Sequence, residues 1–212
     1  MTEKKDKFDF KKEYKYLFSP SAKSPEIVKA PPFKTIQIKG EGYPGNSKDF
    51  EDKIGILYGL SYTIKFMLKL DKQDPFDYTV GPFSGLWYAD DMTAFKNEKR
   101  KDEWKWTIMI LQPDRVTSEV FEKGKEEFRA KKNPSKLDQA CFDIFDEGTS
   151  AQIMHIGPYD QEGPTIQNLH DFIQEAGYTF NGDHHEIYIS DPRRTKPEKL
   201  KTILRHPIRK KE

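Results

Sequence analysis

The residues that could carry acid–base chemistry lie in one short stretch, His184–Ser190. Alternation there predicts a β-strand whose side chains point to opposite faces in turn. Glu186 and Tyr188 then project from one face, roughly 7 Å apart by strand rise. On a cleft wall, Glu186 would be a general base or a partner for a cation, and Tyr188 would donate a proton to a developing oxyanion. The alternative is a solvent-exposed pair on an open sheet face. The opposite face, which we expect helices to cover, carries His185, Ile187 and Ile189.

Aromatic residues cluster in two further stretches and could hold a flat ligand by stacking or by cation–π contact. Trp104 and Trp106 share one face of a predicted strand, whereas Trp87 and Tyr88 point to opposite faces of another. We expect these four residues and Phe83 to contact a ligand. The alternative is that the tryptophans pack in the core.

His155 precedes a Gly-Pro turn and could hydrogen-bond a ligand or a pocket acid, although a structural role is the alternative. The five histidines show no metal-binding spacing, and a single cysteine excludes a cysteine-based zinc site. Motifs for phosphate or dinucleotide binding and for a nucleophilic serine are absent from the sequence. We therefore expect neither a metal nor an organic cofactor.

The composition limits the class of protein. The 212 residues are 35% hydrophobic and 13% aromatic, which argues against a disordered chain. The net charge of +1 gives no reason to expect nucleic acid. No apolar run could span a membrane, and the N-terminus lacks a signal-peptide core, so we expect a cytoplasmic protein. The basic C-terminal segment 193–212 is predicted to be a solvated terminal face.

Hydrophobic periodicity and turn residues predict the elements that position these side chains. Ser47 is expected to cap a helix that runs to about Lys69, Thr117 to cap a second, and Pro164 and Gly177 to bound a third. Strands are predicted at Phe33–Ile38, Tyr78–Val80, Leu86–Tyr88, Trp104–Leu111, Cys141–Phe145, Ala151–Ile156 and His184–Ser190. Asp146-Glu147-Gly148 predicts a hairpin between the fifth and sixth of these strands.

The order strand, turn, helix, strand occurs twice, from Ile36 to Leu86 and from Ile153 to Ser190. Each half has one amphipathic helix and too few strands to cover it, so two halves would bury their apolar faces together with a cleft at the seam. Residues 1–32 are predicted to be an arm that packs on the body through its aromatic residues. The halves are expected at about 33–112 and 138–212, joined by a helical connection.

Several stretches resemble the stand-alone branch of the GyrI-like small-molecule-binding proteins. They are Phe10–Lys15, Leu60–Met67, Gly85–Trp87, Trp106–Ile110, Met154–Asp160, His184–Pro192 and Lys199–Arg205. The resemblance implies an α+β fold of SHS2 type over residues 33–212, with two pseudo-symmetric βαββ units and a ligand cleft between them. It also implies aromatic cleft walls and an acid on the last strand, which matches Glu186.

Some stand-alone members of this family resemble hydrolases that open the cyclopropane ring of DNA-alkylating natural products. The resemblance therefore implies a hydrolase for a hydrophobic or aromatic small molecule, and we expect Glu186 and Tyr188 to be its catalytic residues. Two positions depart from the family pattern: Ser84 replaces an acid, and Tyr88 replaces a second tryptophan. Two alternatives remain open, namely a binder or sensor of aromatic cations without chemistry and a protein-interaction role for the arm and the basic segment.

Overall fold

The computed structural model describes residues 7–45 and 47–211, so the first six residues of the predicted arm lie outside it. The helices of the described part are α1 (Phe10–Glu13), α2 (Lys15–Phe18), α3 (Lys48–Lys69), α4 (Ser118–Lys132) and α5 (Gly163–Glu175). Its strands are β1 (Glu26–Ala30), β2 (Phe33–Glu41), β3 (Phe83–Tyr88), β4 (Lys105–Gln112), β5 (Cys141–Phe145), β6 (Gly148–Ile156), β7 (Tyr178–Phe180), β8 (His184–Tyr188) and β9 (Lys201–Lys210). None of the described helices is long and apolar enough to cross a bilayer.

Two βαββ units share one antiparallel sheet of order β1-β6-β9-β8-β3-β4-β2-β5. In the first unit β4 lies between β2 and β3, and in the second β9 lies between β6 and β8. The units meet where β3 pairs with β8, with Phe83 opposite Tyr188 and Gly85 opposite Glu186. This matching order on either side of the seam confirms the predicted α+β fold of two pseudo-symmetric units.

The long helices begin and end where the capping residues predict. The Ser47 hydroxyl accepts a hydrogen bond from the Phe50 amide at the start of α3, and Thr117 accepts one from Val120 at the start of α4. Such bonds satisfy amides that have no partner inside the helix. Gly177 follows α5 with φ of +79°, a left-handed conformation that glycine adopts without a steric penalty.

Helices α3 and α5 cover one face of the sheet, and the N-terminal segment covers the other. Leu57 and Leu60 of α3 pack on Ile108, and Leu169 of α5 packs in the same cluster as Leu204 of β9. The opposite face is packed by α1, α2 and β1, with Ile187 in that cluster. Ile187 therefore lies on a helix-covered face, as expected, but the helices that cover it are α1 and α2 of the N-terminal segment.

The predicted hairpin around Asp146-Glu147-Gly148 is also wrong. Strand β5 pairs with β2 of the first unit, and β6 pairs with β1 and β9 of the second. The three residues carry the chain from one unit to the other. Glu147 is buried there, where it forms a hydrogen bond of 2.8 Å with His185 Nδ1 and an ion pair of 2.9 Å with Arg205. Those pairings outweigh the local turn preference.

Further local predictions are wrong for the same reason: pairing between distant segments overrides the local preference of a short segment. Tyr78 forms only an isolated bridge to Phe8 instead of a strand, and β3 begins at Phe83, so it runs through Ser84 and Gly85. The basic segment is no solvated terminal face. Its residues 201–210 form β9, which lies between β6 and β8 and buries Arg205.

Candidate functional site

A large cleft opens at the seam, between α3 and α5 and over the β3–β8 pair. Its volume is about 2070 Å³. Glu186 and Tyr188 of β8 form part of its wall, together with Phe83 and Trp87 of β3. The seam therefore brings the predicted acid, the predicted phenol and two predicted aromatic residues to one surface.

Glu186 is held from two sides. The Tyr188 hydroxyl donates a hydrogen bond of 2.6 Å to Glu186 Oε2, and His184 Nε2 lies 3.4 Å from Oε1. Alternation along β8 places all three side chains on the same face. Burial raises the pKa of Tyr188 well above its ordinary value, and the Glu186 charge raises it further. Tyr188 therefore keeps its proton and shares it with the carboxylate.

Aromatic rings surround this pair. Phe83 stacks on Tyr188 with ring centres 5.4 Å apart, and Tyr159 meets Tyr188 edge-on at 5.5 Å. Tyr58 of α3 stacks on the outer side of Phe83 at 6.2 Å. Burial raises the pKa of Tyr159 to about 12, with further contributions from nearby acids that include Glu162 and Glu186. The wall is thus a set of neutral rings around one carboxylate.

Trp87 reaches the cleft because the neighbouring residue on its strand face is glycine. A Cβ on Gly85 would lie 3.3 Å from Trp87 Nε1, which is closer than most contacts that Cβ atoms make in proteins. The indole N–H is buried and makes no well-aligned hydrogen bond among the described residues, although it is close enough to the Tyr188 hydroxyl to lower the pKa of that group. An unpartnered donor beside a cleft can be satisfied by a ligand acceptor.

Trp104 and Tyr88 border another part of the cleft. Trp104 lies against Phe95 and Tyr43, at 4.6 and 5.5 Å between ring centres, and donates its indole proton to the Ala94 carbonyl. Tyr88 borders the cleft as well, with its hydroxyl 3.4 Å from Thr107 Oγ1. These residues widen the aromatic surface beyond the carboxylate.

The structure does not place Trp106 and His155 on the cleft wall. Trp106 is fully buried, packs edge-on against Phe50 at 4.8 Å and donates to the Gly42 carbonyl. A Cβ on Gly40 would lie within 2.2 Å of that indole, so glycine makes room for it. His155 is buried and its ring nitrogens bond to Thr165 and to the Pro158 carbonyl, which ties β6 to the start of α5.

The structure adds an acid that the sequence did not suggest. Glu162 immediately precedes α5, is 4% exposed and lines the cleft. Burial, and then the Glu186 charge, raise its pKa to about 9, although the Thr202 hydroxyl lowers it slightly. The sequence shows only that Glu162 lies just before Gly163-Pro164, at the start of a predicted helix. An acid at that position is ordinarily explained by its favourable interaction with the helix dipole.

Three histidines from separate elements also meet at the cleft. His206 of β9 lies 5.4 Å from His170 of α5 and 5.5 Å from His184, measured between ring centres. Burial and the two neighbouring imidazoles lower the pKa of His206 to about 3, so it stays neutral near pH 7. Within residues 7–45 and 47–211, no three His, Cys, Asp or Glu side chains are arranged to hold a metal ion.

This arrangement can bind a flat apolar molecule between rings while presenting one oriented carboxylate and one neutral acid. A large cleft with aromatic walls and a few convergent polar groups is typical of a site that binds small molecules. Residues 23–209 match the model of the GyrI-like small molecule binding domain. The chain belongs to the GyrI-like family.

Solved structures from Listeria innocua are similar along almost the whole chain. An uncharacterized conserved protein is 36% identical with a TM-score of 0.88. Two structures of a hydrolase are 35% identical with TM-scores of 0.82 and 0.85. Each match covers 96% of this chain and 100% of the other. Among curated proteins, none matches significantly.

Proposed function

We propose that this protein hydrolyses cyclopropane-bearing, DNA-alkylating toxins in the cleft and thereby detoxifies them in the cytoplasm. The observation that carries the proposal is the Glu186 carboxylate, held by Tyr188 on the wall of an aromatic cleft. Membership of the GyrI-like family and the hydrolase neighbours from Listeria innocua support it.

The rings would bind the substrate. Phe83, Trp87, Tyr88 and Trp104 offer faces and edges against which a flat polyaromatic molecule can stack. The unpartnered Trp87 indole N–H adds a donor for a substrate oxygen or nitrogen. On this proposal Trp106 supports the wall from the core, and His155 fixes the start of α5.

Glu186 would act as the base. It removes a proton from a water molecule as the water oxygen bonds to the strained ring carbon, and the carbon–carbon bond breaks. The electron pair passes into the conjugated carbonyl group, whose oxygen gains the charge. Ring strain supplies much of the driving force, so the reaction needs no metal or organic cofactor. Tyr188 orients the base, and it can protonate the substrate only by giving up its bond to Glu186.

The test is incubation with a cyclopropane-bearing alkylator, followed by mass spectrometry. We expect the wild-type protein to add one water to the compound, and Glu186→Gln to bind it but to turn over about 10²-fold or more slowly. Glu175→Gln changes an exposed acid at the end of α5 and should match the wild type. Unchanged hydrolysis by Glu186→Gln would remove Glu186 from the mechanism, and no product with the wild type would refute the proposed reaction.

The same carboxylate supports a second candidate function, binding or sensing of aromatic cations without chemistry. A carboxylate among rings attracts a flat cation through charge and through the ring faces. Stoichiometric retention of a compound without any change in its mass would favour this function. Glu186→Gln should then weaken binding of a cationic dye much more than binding of a neutral dye of similar shape.

A further inference from the structure

Tyr188 is poorly placed to protonate a substrate because its proton is already shared. The hydroxyl lies 2.6 Å from Glu186 Oε2, a short hydrogen bond to a carboxylate. Breaking that bond during the reaction would also release the proposed base from its orientation. A second proton donor near Glu186 would leave this pair intact.

Glu162 has the position that such a donor needs. Its backbone amide donates to the Tyr159 carbonyl, and its backbone carbonyl accepts from the Ile166 amide in the first turn of α5. These two hydrogen bonds fix the backbone of Glu162. Its carboxyl is buried on the cleft wall, and Oε1 has no hydrogen-bond partner among the described residues. A buried polar atom without a partner is usually satisfied by a bound proton, a water molecule or a ligand.

The surroundings of Glu162 favour its neutral form. Strand β8 presents Glu186 and Tyr188, β9 presents Thr202, and Tyr159 lies in the turn before α5. Tyr58 of α3 and Asp191 after β8 raise the pKa of Tyr159. Among the groups that act on Glu162 itself none is a cation, and the charge of Glu186 disfavours a second negative charge beside it. Such a pair retains one proton.

We propose that Glu162 holds this proton and donates it to the substrate oxygen that becomes charged when the cyclopropane ring opens. The role rests on the proposed function. Glu186 takes one proton from the attacking water, and the hydroxyl bonds to the ring carbon. The electron pair of the broken carbon–carbon bond ends on the oxygen, and Glu162 protonates that oxygen. The proton on Glu186 then restores Glu162 through solvent, so the sum of the steps is the addition of one water.

The test compares pH–rate profiles of the wild type, Glu162→Gln and the control Glu175→Gln on the same alkylator, after subtraction of uncatalysed opening. We expect the wild-type rate to fall as the pH rises through about 9. Glu162→Gln should be about 10²-fold slower, and its remaining activity should lack this alkaline fall. Retention of the compound by the variant shows that binding survives.

The outcomes separate this role from the proposed function. A wild type that makes no product overturns both. An active wild type with a Glu162→Gln rate within threefold and an unchanged alkaline fall overturns only the role of Glu162. If the variant does not fold, the wild-type profile decides alone, because a rate that stays constant past pH 9 contradicts a donor that ionises there. Infrared difference spectra provide a readout without substrate: a protonated carboxyl band at pH 7 supports the role, and its absence overturns it.

Discussion

Tyr188 donates its hydroxyl proton to the carboxylate of Glu186 across 2.6 Å, and both side chains leave the same face of β8. Strand geometry alone would set the two residues roughly 7 Å apart. The phenol leans along the strand and closes that gap. Phe83 and Tyr159 hold its ring in this position from two directions.

The first prediction concerns this bond. Tyr188→Phe keeps the ring and its stacking on Phe83 but removes the only hydroxyl that bonds to Glu186 in the described part of the chain. We expect hydrolysis to fall about 10-fold to 100-fold while binding of a neutral aromatic ligand changes less than threefold. Paired turnover and binding measurements check this. An equal loss of both would mean that Tyr188 serves binding alone.

The second prediction uses the buried acid. Because the pKa of Glu162 is raised from 4.5 to about 9, the unfolded chain ionises this group between those pH values and the native chain does not. Native stability therefore falls as the pH rises through this window. Glu162→Gln removes this penalty, so we expect its free energy of unfolding at pH 8 to exceed that of the wild type by at most about 5 kcal/mol.

This upper bound corresponds to about 10–20 °C in Tm for a chain of this size. At pH 4.5 the two proteins should differ much less, since the native state is protonated there and the unfolded state is only half ionised. Glu175→Gln, at an exposed site, should show no such pH dependence. A difference between Glu162→Gln and wild type that is the same at both pH values would contradict the raised pKa.

The third prediction separates two tryptophans that the sequence grouped together. Trp106 is fully buried, so Trp106→Ala should cost about 3–5 kcal/mol in unfolding free energy. Trp104 borders the cleft and is partly exposed, so Trp104→Ala should cost less stability and weaken ligand binding more. Denaturant unfolding and ligand titration of both variants check this. A reversed ranking would place Trp106 on the wall instead.

The fourth prediction concerns the buried ion pairs on the other face of the sheet. Arg205 bonds to Glu147, Gln152 and the Leu17 carbonyl, so it ties the N-terminal segment to β6 and β9. Burial alone would raise the pKa of Glu147, but His185 and Arg205 outweigh it and lower the value to about 2. This contribution to stability is present above pH 4.5 and is lost as the pH falls towards 2.

Arg205→Met leaves Glu147 buried without its arginine partner and should destabilise the protein by about 3–5 kcal/mol at pH 7. Arg193→Met breaks an exposed pair with Asp191 and is the matched control, with an expected cost below about 1 kcal/mol. Thermal unfolding at pH 7 measures both. Equal effects would mean that the buried pairs contribute no more than a surface pair.

Local signals predicted the long helices well because a cap and a periodic apolar face lie within one segment. Ser47, Thr117 and Gly177 bound α3, α4 and α5 as expected. The failures concern pairing between distant segments. The turn at Asp146-Glu147-Gly148 joins strands of different units, and the basic C-terminal segment became a central strand, because partners far along the chain decide both.

The candidate site was predictable where alternation fixes the direction of a side chain. Alternation places Glu186 and Tyr188 on one face, and both line the cleft. Alternation gives no information on how deeply a side chain is buried, so Trp106 could not be distinguished from Trp104 in the sequence. Glu162 could not be predicted as a site residue because its burial depends on β8 and β9, which approach it only in the folded chain.

The helices with their caps, the strands that recur in each half, and the face of β8 that carries an acid and a phenol all follow from the amino-acid sequence. These features depend on neighbours a few residues apart. The fold is needed to show that Glu162 and Glu186 act on each other, that Trp106 lies beneath the wall and that His155 ties β6 to α5. The burial and the electrostatic surroundings of a side chain depend on segments that are distant in the sequence and adjacent in space. A local sequence pattern therefore cannot predict them.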